Sequence, residues 1–385
     1  MIFLQLLRII PLLLFFISMP DGVVTAKARL IRVAVLREED HFTMAVHGRY
    51  DVIDFNTGKK LDTRVYLRPV LVSLDHGKTR VGDAVYDAVR LIVAPQREAL
   101  VSINDGHFRG DVIVINNKSI NFSVVNSIDI EQYIRGVLYH EISDKWPLEA
   151  IMAQAVAART YAVYAMDKFA ARDYDVTNDI YSQVYGGRGS ERYRTNVAVR
   201  RTAGEVLMYK GKIFPAFFHA NSGGITEDAG ELWDIDLEPL KGGVKSPFSM
   251  NQPHYEWRQN FRLKDIQDKL NARGYQIGLI KEIQVIERNK SGRIRKLKIL
   301  SRDGKEEVIE GKVFRDIIGP NILLSNKYDI DMKGWYVDFV GYGWGHGVGM
   351  CQWGAYGMAL MHYNYRQILA FYYPSSELVK LKDVD

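Results

Sequence analysis

One glutamate is notable because of its position on a predicted helix. The run from Ile130 to Glu141 has apolar residues at 130, 133/134 and 137/138, which is the spacing of one helical face. Asp129, with Gln132 three residues later, resembles a capping box at the helix start. Glu141 then extends the apolar stripe and ends the helix. Desolvation and the helix dipole both favour its protonated form, which suits a general acid. The alternative is an ordinary solvated glutamate at a helix end.

Two further candidates, Arg159 and His219, lie where a buried partner or a ligand would be needed. Arg159 lies in an alanine-rich segment, where a guanidinium must either pair with an acid or reach a ligand, and the buried ion pair is the commoner case. His219 follows an apolar strand and precedes Ser222-Gly223-Gly224. A polar turn of this kind forms either a substrate loop or a simple tight turn.

A third candidate, His346, lies in the glycine-rich run Gly341–Met350. So many glycines permit positive φ angles and a close approach of the backbone to a ligand. The run is not a phosphate-binding loop, because no Lys-Ser/Thr pair follows it. Nearby aromatic side chains could stack on sugar rings, namely Tyr342, Trp344 and Trp353.

The composition is that of a folded globular protein. Of 385 residues, 47% are hydrophobic and 25% are charged, and the net charge is +5. These values exclude a disordered chain and a coiled coil. The mild basicity is compatible with an acidic polymer as partner but does not indicate nucleic acid. The single cysteine, Cys351, excludes an intrachain disulfide and a cysteine-cluster metal site.

The first 26 residues have the layout of a secretory signal peptide. A short apolar run, Ile9–Met19, follows Arg8, and Val24-Thr25-Ala26 provides small residues for cleavage before Lys27. The alternative is an uncleaved membrane anchor. In both cases we expect an exported protein that acts in the periplasm or at the cell wall.

The elements that position these candidates predict an α+β fold. Residues 27–125 are strand-rich, and residues 126–261 begin a helical core around a buried alanine-rich helix from Leu148 to about Lys168. Residues 262–310 are predicted to form an inserted αβ subdomain. Residues 311–385 complete the core with the glycine-rich run and a helix through Leu369.

Four motifs, in this order, resemble the stage II sporulation protein D/LytB family. They are the run Ile130–Glu141 with Trp146–Ala150 and Ala153–Tyr161, then Ser182–Gly187, Phe218–Thr226 and Gly345–Ala355. This resemblance implies a peptidoglycan lytic transglycosylase. Such an enzyme cleaves between N-acetylmuramic acid and N-acetylglucosamine and leaves a 1,6-anhydro end.

The resemblance also implies roles for individual residues. Glu141 matches the catalytic glutamate, and Arg159 matches a basic residue of the substrate groove. Met152 stands where many members have lysine, and Cys351 where serine is usual. Residues 166–187 lack the Cys and His of the zinc site that some members carry, so no metal or other cofactor is predicted. Further residues expected to contact substrate are Gln183, Tyr185, His219, Ser222, Gly223, Gly224, His346, Gly347 and Gln352.

Three functions remain open from the sequence. A lytic transglycosylase can use one carboxyl group, because the muramic acid supplies its own C6 hydroxyl as nucleophile. A hydrolase needs a second acid, for which Asp144 and Asp228 are candidates. The third function is a non-catalytic glycan-binding or amidase-activating module, which Met152 favours. The expected partners are peptidoglycan strands, with a cell-wall amidase as a further candidate and no nucleic acid.

Overall fold

A computed structural model describes residues 29–179 and 182–381. Its mixture of helices and sheets confirms the predicted α+β class. The predicted signal peptide lies outside the described residues. Within the described ranges, no helix is long and apolar enough to cross a membrane.

The amino-terminal region consists of strands, as the sequence predicts. Two sheets pack over one hydrophobic core. The strands are β1 (Leu30–Glu39), β2 (Phe42–His47), β3 (Tyr50–Asp54), β4 (Lys60–Arg64), β5 (Leu67–Asp75), β6 (Lys78–Val81), β7 (Ala84–Tyr86), β8 (Arg90–Pro95), β9 (Leu100–Ile103), β10 (Gly106–Phe108), β11 (Asp111–Asn117) and β12 (Asn121–Asp129). In the larger sheet these strands are antiparallel neighbours in the order β1, β12, β11, β8, β3 and β4.

Three helices follow: α1 (Ile130–Glu141), α2 (Leu148–Lys168) and, after the short strand β13 (Val176–Thr177), α3 (Tyr193–Arg201). The predictions for α1 and α2 are confirmed. The Asp129 side chain accepts hydrogen bonds from two backbone N–H groups of the first turn of α1, so the predicted N-cap is present. The alanines of α2 are buried, which lets neighbouring helices approach closely.

The rest of the core joins two distant segments. β16 (Phe218–His219) pairs in parallel with β23 (Met350–Cys351), and this pairing brings the His219 and His346 loops side by side. Cys351 leads into α7 (Gln352–Leu360). The single helix expected through Leu369 is in fact two, because α8 (Tyr365–Tyr372) begins anew with a capping box at Asn364. The remaining elements are β14 (Glu205–Tyr209), β15 (Lys212–Ile213), α4 (Gly230–Trp233) and β24 (Glu377–Lys380).

The inserted unit has its own hydrophobic core, which runs from Trp257 to Phe339. It is wider than the expected 262–310, because its first strand pairs along its whole length with its last. Two of its strands form an antiparallel hairpin around Ser291-Gly292. The elements are β17 (Glu256–Arg262), α5 (Leu263–Asn271), β18 (Ile280–Arg288), β19 (Ile294–Ser301), β20 (Glu306–Glu310), α6 (Gly311–Ile318), β21 (Tyr328–Lys333) and β22 (Tyr336–Tyr342).

Candidate active site

A cleft of about 890 Å³ lies between the helical core, the two paired loops and the inserted unit. The end of α1 forms one wall, and Trp344 to His346 of the glycine-rich run form another. Arg315 and Asn321 of the inserted unit line its rim. Five of the predicted site residues line this cleft: Glu141, Gln183, His219, His346 and Gln352.

Glu141 is held in a partly apolar, partly hydrogen-bonded environment. Burial raises the pKa of its carboxyl group to about 7, although hydrogen bonds from the Gln352 side chain and the Val184 backbone oppose that rise. Gln352 also donates to Gln154 Oε1 at 3.4 Å. A carboxyl group with a pKa near neutrality can both donate and accept a proton.

The two cleft histidines are neutral. His219 Nδ1 bonds to the carbonyl oxygen of Val348 at 3.1 Å, which makes Nδ1 the protonated nitrogen. Its Nε2 is buried and has no hydrogen-bond partner among the described residues. His346 Nδ1 accepts from the Val348 N–H at 3.0 Å, and its ring also bonds to the Phe218 backbone. Burial lowers the pKa of His219 well below its usual value and that of His346 to about 3.

Aromatic rings form the remaining surface of the cleft. The ring centroids of Trp146 and Trp353 are 4.7 Å apart, and those of Phe217 and Trp233 are 4.5 Å apart. Trp344 and Trp353 line the cleft as expected, whereas Tyr342 does not. Trp146 and Trp233 were not predicted, although Trp146 lies within the first motif. Flat apolar rings of this kind can stack on sugar faces.

Arg159 does not line the cleft, and the assignment of this residue to the substrate groove is corrected. Its side chain is fully buried. Its Nε and Nη2 atoms each donate to the Glu131 carboxylate at 2.8 Å, and Nη1 donates to the carbonyl oxygen of Glu205 at 3.1 Å. Arg159 is therefore one half of a structural ion pair between α1 and α2.

The Ser222-Gly223-Gly224 turn and Gly347 also lie behind the cleft rather than on its surface. Arg293 of the inserted unit donates to the carbonyl oxygen of Ser222 at 2.9 Å. Gly347 has φ +87°, and a Cβ there would collide with the Arg293 guanidinium. These residues hold loops together and are not cleft-lining contacts, which corrects their assignment.

Tyr185 is a further correction, because its ring is buried and its hydroxyl donates to Asn126 Oδ1 at 2.9 Å. Met152 is buried in the main hydrophobic core. Position 152 does not line the cleft.

Among the described residues that line the cleft, Glu141 is the only carboxylic acid. Asp144 and Asp228, the candidates for a second acid, do not line it. Asp228 instead accepts a hydrogen bond from the Gly230 N–H at 2.8 Å. In residues 29–179 and 182–381, no group of three or more His, Cys, Asp or Glu side chains is placed to hold a metal ion.

Two family models match parts of this chain. The family described as stage II sporulation protein (SpoIID) matches residues 118–209, and a domain of unknown function, DUF8618, matches residues 242–349. The second match includes the whole inserted unit, 256–342.

Similar proteins occur in several bacteria. An uncharacterized protein of Brachyspira hyodysenteriae is 32% identical over 94% of this chain and 95% of its own length. Stage II sporulation protein D of Bacillus amyloliquefaciens is 31% identical over 68% of this chain and 77% of its own length. The amidase enhancer of Bacillus subtilis is 27% identical over 64% of this chain and 40% of its own length. The chain therefore belongs to the stage II sporulation protein D (SpoIID) family.

Proposed function

We propose that this protein is a peptidoglycan lytic transglycosylase with Glu141 as its single general acid and base. Family membership supports a cell-wall-related function. The finer assignment depends on one observation: among the described residues, the only carboxyl group that lines the cleft has a pKa of about 7. A hydrolase that activates water normally uses two carboxyl groups, whereas a substrate that carries its own nucleophile needs only one.

The reaction proceeds in two proton transfers. Protonated Glu141 first gives its proton to the glycosidic oxygen, and the bond from that oxygen to C1 of the muramic acid breaks. The Glu141 carboxylate then takes the proton of the C6 hydroxyl as that oxygen bonds to C1. The products are a free 4-hydroxyl on the leaving sugar and a 1,6-anhydro ring, so no water is consumed.

The neighbours of Glu141 assist each half of this cycle. Apolar burial favours the acid form that starts the reaction, while Gln352 and the Val184 N–H stabilise the carboxylate that forms midway. His219 is neutral, and its unpartnered Nε2 can only accept. We assign it as acceptor for a sugar hydroxyl or acetamido N–H, and the tryptophans as stacking surfaces.

Product analysis tests the proposal. Purified protein incubated with peptidoglycan should release fragments with 1,6-anhydro ends, and Glu141→Gln should lower that release by about 10² or more. The control is Glu98→Gln, because the Glu98 side chain is almost fully exposed. Reducing ends would instead indicate a hydrolase.

A second candidate function comes from the name of the Bacillus subtilis relative, amidase enhancer. If neither wild type nor Glu141→Gln releases fragments, but both raise the rate of a cell-wall amidase, the protein is an activating module.

Export of the protein from the cytoplasm is part of the same proposal. Amino-terminal sequencing of the native protein should find Lys27 at or near the first position.

A further inference from the structure

A basic segment, residues 188–201, includes α3 and contacts the cleft-lining residues Tyr139 and Trp146. It contains five arginines and one glutamate, a net charge of 5 − 1 = +4 in a chain whose total is +5. We call this segment the arginine ridge. Its basic members are Arg188, Arg192, Arg194, Arg200 and Arg201.

The one acid of the ridge does not neutralise the exposed arginines. The Glu191 side chain is only 6% exposed and pairs with Arg109 at 3.0 Å and with Arg188 at 3.7 Å. The other four arginines form no ion pair with a carboxylate among the described residues. Their charges are therefore available to an external anion.

Two of these arginines are fixed directly against the cleft wall. The Arg192 guanidinium lies 4.0 Å from the ring centroid of Tyr139, and Tyr139 lines the cleft. Arg194 donates to the carbonyl oxygens of Asp144 and Trp146, each at 2.8 Å. These partners are neutral, so they hold the side chains in place without cancelling their charge.

We propose that the arginine ridge extends the cleft and binds the carboxylates that a peptidoglycan strand carries along its length. This inference rests on the proposed function for the identity of the ligand. Every muramic acid bears a lactyl group that ends in a carboxyl group. This carboxyl group is either free, and then charged, or joined by an amide bond to a peptide that has carboxylates of its own. A guanidinium matches a carboxylate through two parallel hydrogen bonds. Tyr193, 79% exposed between Arg192 and Arg194, adds a surface for the sugars.

The test measures binding by the full chain carrying Glu141→Gln, so that the glycan stays intact. Soluble peptidoglycan strands are compared with chitin oligosaccharides, which have no carboxylate. In this background, Arg192→Gln with Arg194→Gln should weaken peptidoglycan binding about tenfold and chitin binding less than twofold. The affinity of the Glu141→Gln protein with an intact ridge should also fall more steeply with added salt than that of the protein that carries the two arginine substitutions as well.

Matched variants separate charge from folding. Arg200→Gln with Arg201→Gln removes two exposed charges of the same helix and should weaken peptidoglycan binding in the same direction. The control, Arg258→Gln with Arg273→Gln, removes two charges from the inserted unit at positions that do not line the cleft and should leave binding unchanged. Strands with and without peptides distinguish the source of the carboxylates. Weaker binding of peptide-free strands by the ridge variants identifies the lactyl carboxylates, and weaker binding of peptide-bearing strands alone identifies the carboxylates of the peptides.

Three results would overturn the inference. The first is peptidoglycan binding that is unchanged in both ridge variants. The second is a loss of chitin binding equal to the loss of peptidoglycan binding. The third is a loss of binding that is seen only when phosphatidylglycerol vesicles or a phosphodiester polymer are used as the ligand. Because cleavage plays no part in this assay, its failure leaves the product analysis intact. Conversely, ridge-dependent binding without anhydro products would contradict only the transglycosylase proposal.

Discussion

At the residue scale, the carboxyl group of Glu141 is subject to opposing effects. Its apolar surroundings favour the neutral acid, and two hydrogen-bond donors favour the anion. The result is a carboxyl group that can both release and accept a proton near neutral pH.

If Glu141 is the general acid of the proposed reaction, the rate should fall on the alkaline side near pH 7, where the carboxyl group loses its proton. A glutamate with an unperturbed pKa would place this alkaline limb of the pH–rate profile near pH 4.3. Gln352→Leu removes a donor to the carboxylate, so it should move the limb to still higher pH. The measurement is kcat/KM for anhydro-product release from pH 4 to 9. A limb at or below pH 5 would contradict the role of Glu141 as the acid.

The same carboxyl group should make stability depend on pH. Because its pKa is higher in the folded protein than in the unfolded chain, its contribution is present at low pH and is lost as pH rises through about 7. Relative to Glu141→Gln, wild type should lose about 2–3 kcal/mol of unfolding free energy between pH 5 and pH 8. Urea titrations at the two pH values measure this difference, and parallel curves for the two proteins would contradict it.

Arg159 is predicted to act on stability. Arg159→Met leaves Glu131 without its partner and should lower the free energy of unfolding by roughly 3–5 kcal/mol. The double variant with Glu131→Gln should lose less, because the unpaired charge is gone. A stable Arg159→Met protein with weakened glycan binding would restore the groove assignment.

At the element scale, the start of α7 depends on one thiol. Cys351 Sγ accepts from the Gly354 N–H at 3.3 Å and from the Ser222 N–H at 3.2 Å. It thus caps the helix and fastens the Ser222 turn to it, two contacts that a serine hydroxyl could also make.

Cys351→Ser should therefore keep the unfolding free energy within about 1 kcal/mol of wild type, whereas Cys351→Ala should lower it by about 1–2 kcal/mol. Burial raises the pKa of the thiol, so it should resist alkylation in the folded protein. Thermal unfolding and a thiol-reactivity assay measure both effects. An equal loss of unfolding free energy in the serine and alanine variants would show that packing of the sulfur atom, and not capping of the helix, stabilises this site.

At the scale of the whole molecule, Arg293 connects the inserted unit to the loops that carry the cleft histidines. It donates to the carbonyl oxygens of Ser222 and Ile225 at 2.9 and 3.2 Å, and its charge lies near the buried Glu227 carboxylate. Glu227 in turn donates its N–H to the carbonyl oxygen of Gly347 at 2.9 Å. One side chain of the inserted unit therefore fixes both loops that carry the cleft histidines.

Arg293→Met should lower the free energy of unfolding by roughly 3 kcal/mol, because it leaves Glu227 buried without a counter-charge. Hydrogen exchange of residues 219–226 and 343–349 should also become faster. Arg295→Met is the control, since Arg295 is exposed and forms only surface ion pairs. Unchanged exchange in both loops would contradict the coupling.

The sequence alone determined the features that depend on local spacing. The apolar period of Ile130–Glu141 and the Asp129 cap were sufficient to predict α1, to assign Glu141 to its apolar face and to explain its raised pKa. The order of the motifs indicated the family. Such features are readable because a helix brings residues three and four apart onto one face wherever it lies in the fold.

Only the tertiary structure decided which candidates share a surface. His219 and His346 meet because β16 pairs with β23, which follows it by more than a hundred residues. The inserted unit is wider than expected because β17 pairs with β22. Arg159 does not line the cleft because Glu131, on the neighbouring helix, is its ion-pair partner. These outcomes depend on contacts between distant segments, which the packing of the whole chain selects and no local pattern specifies.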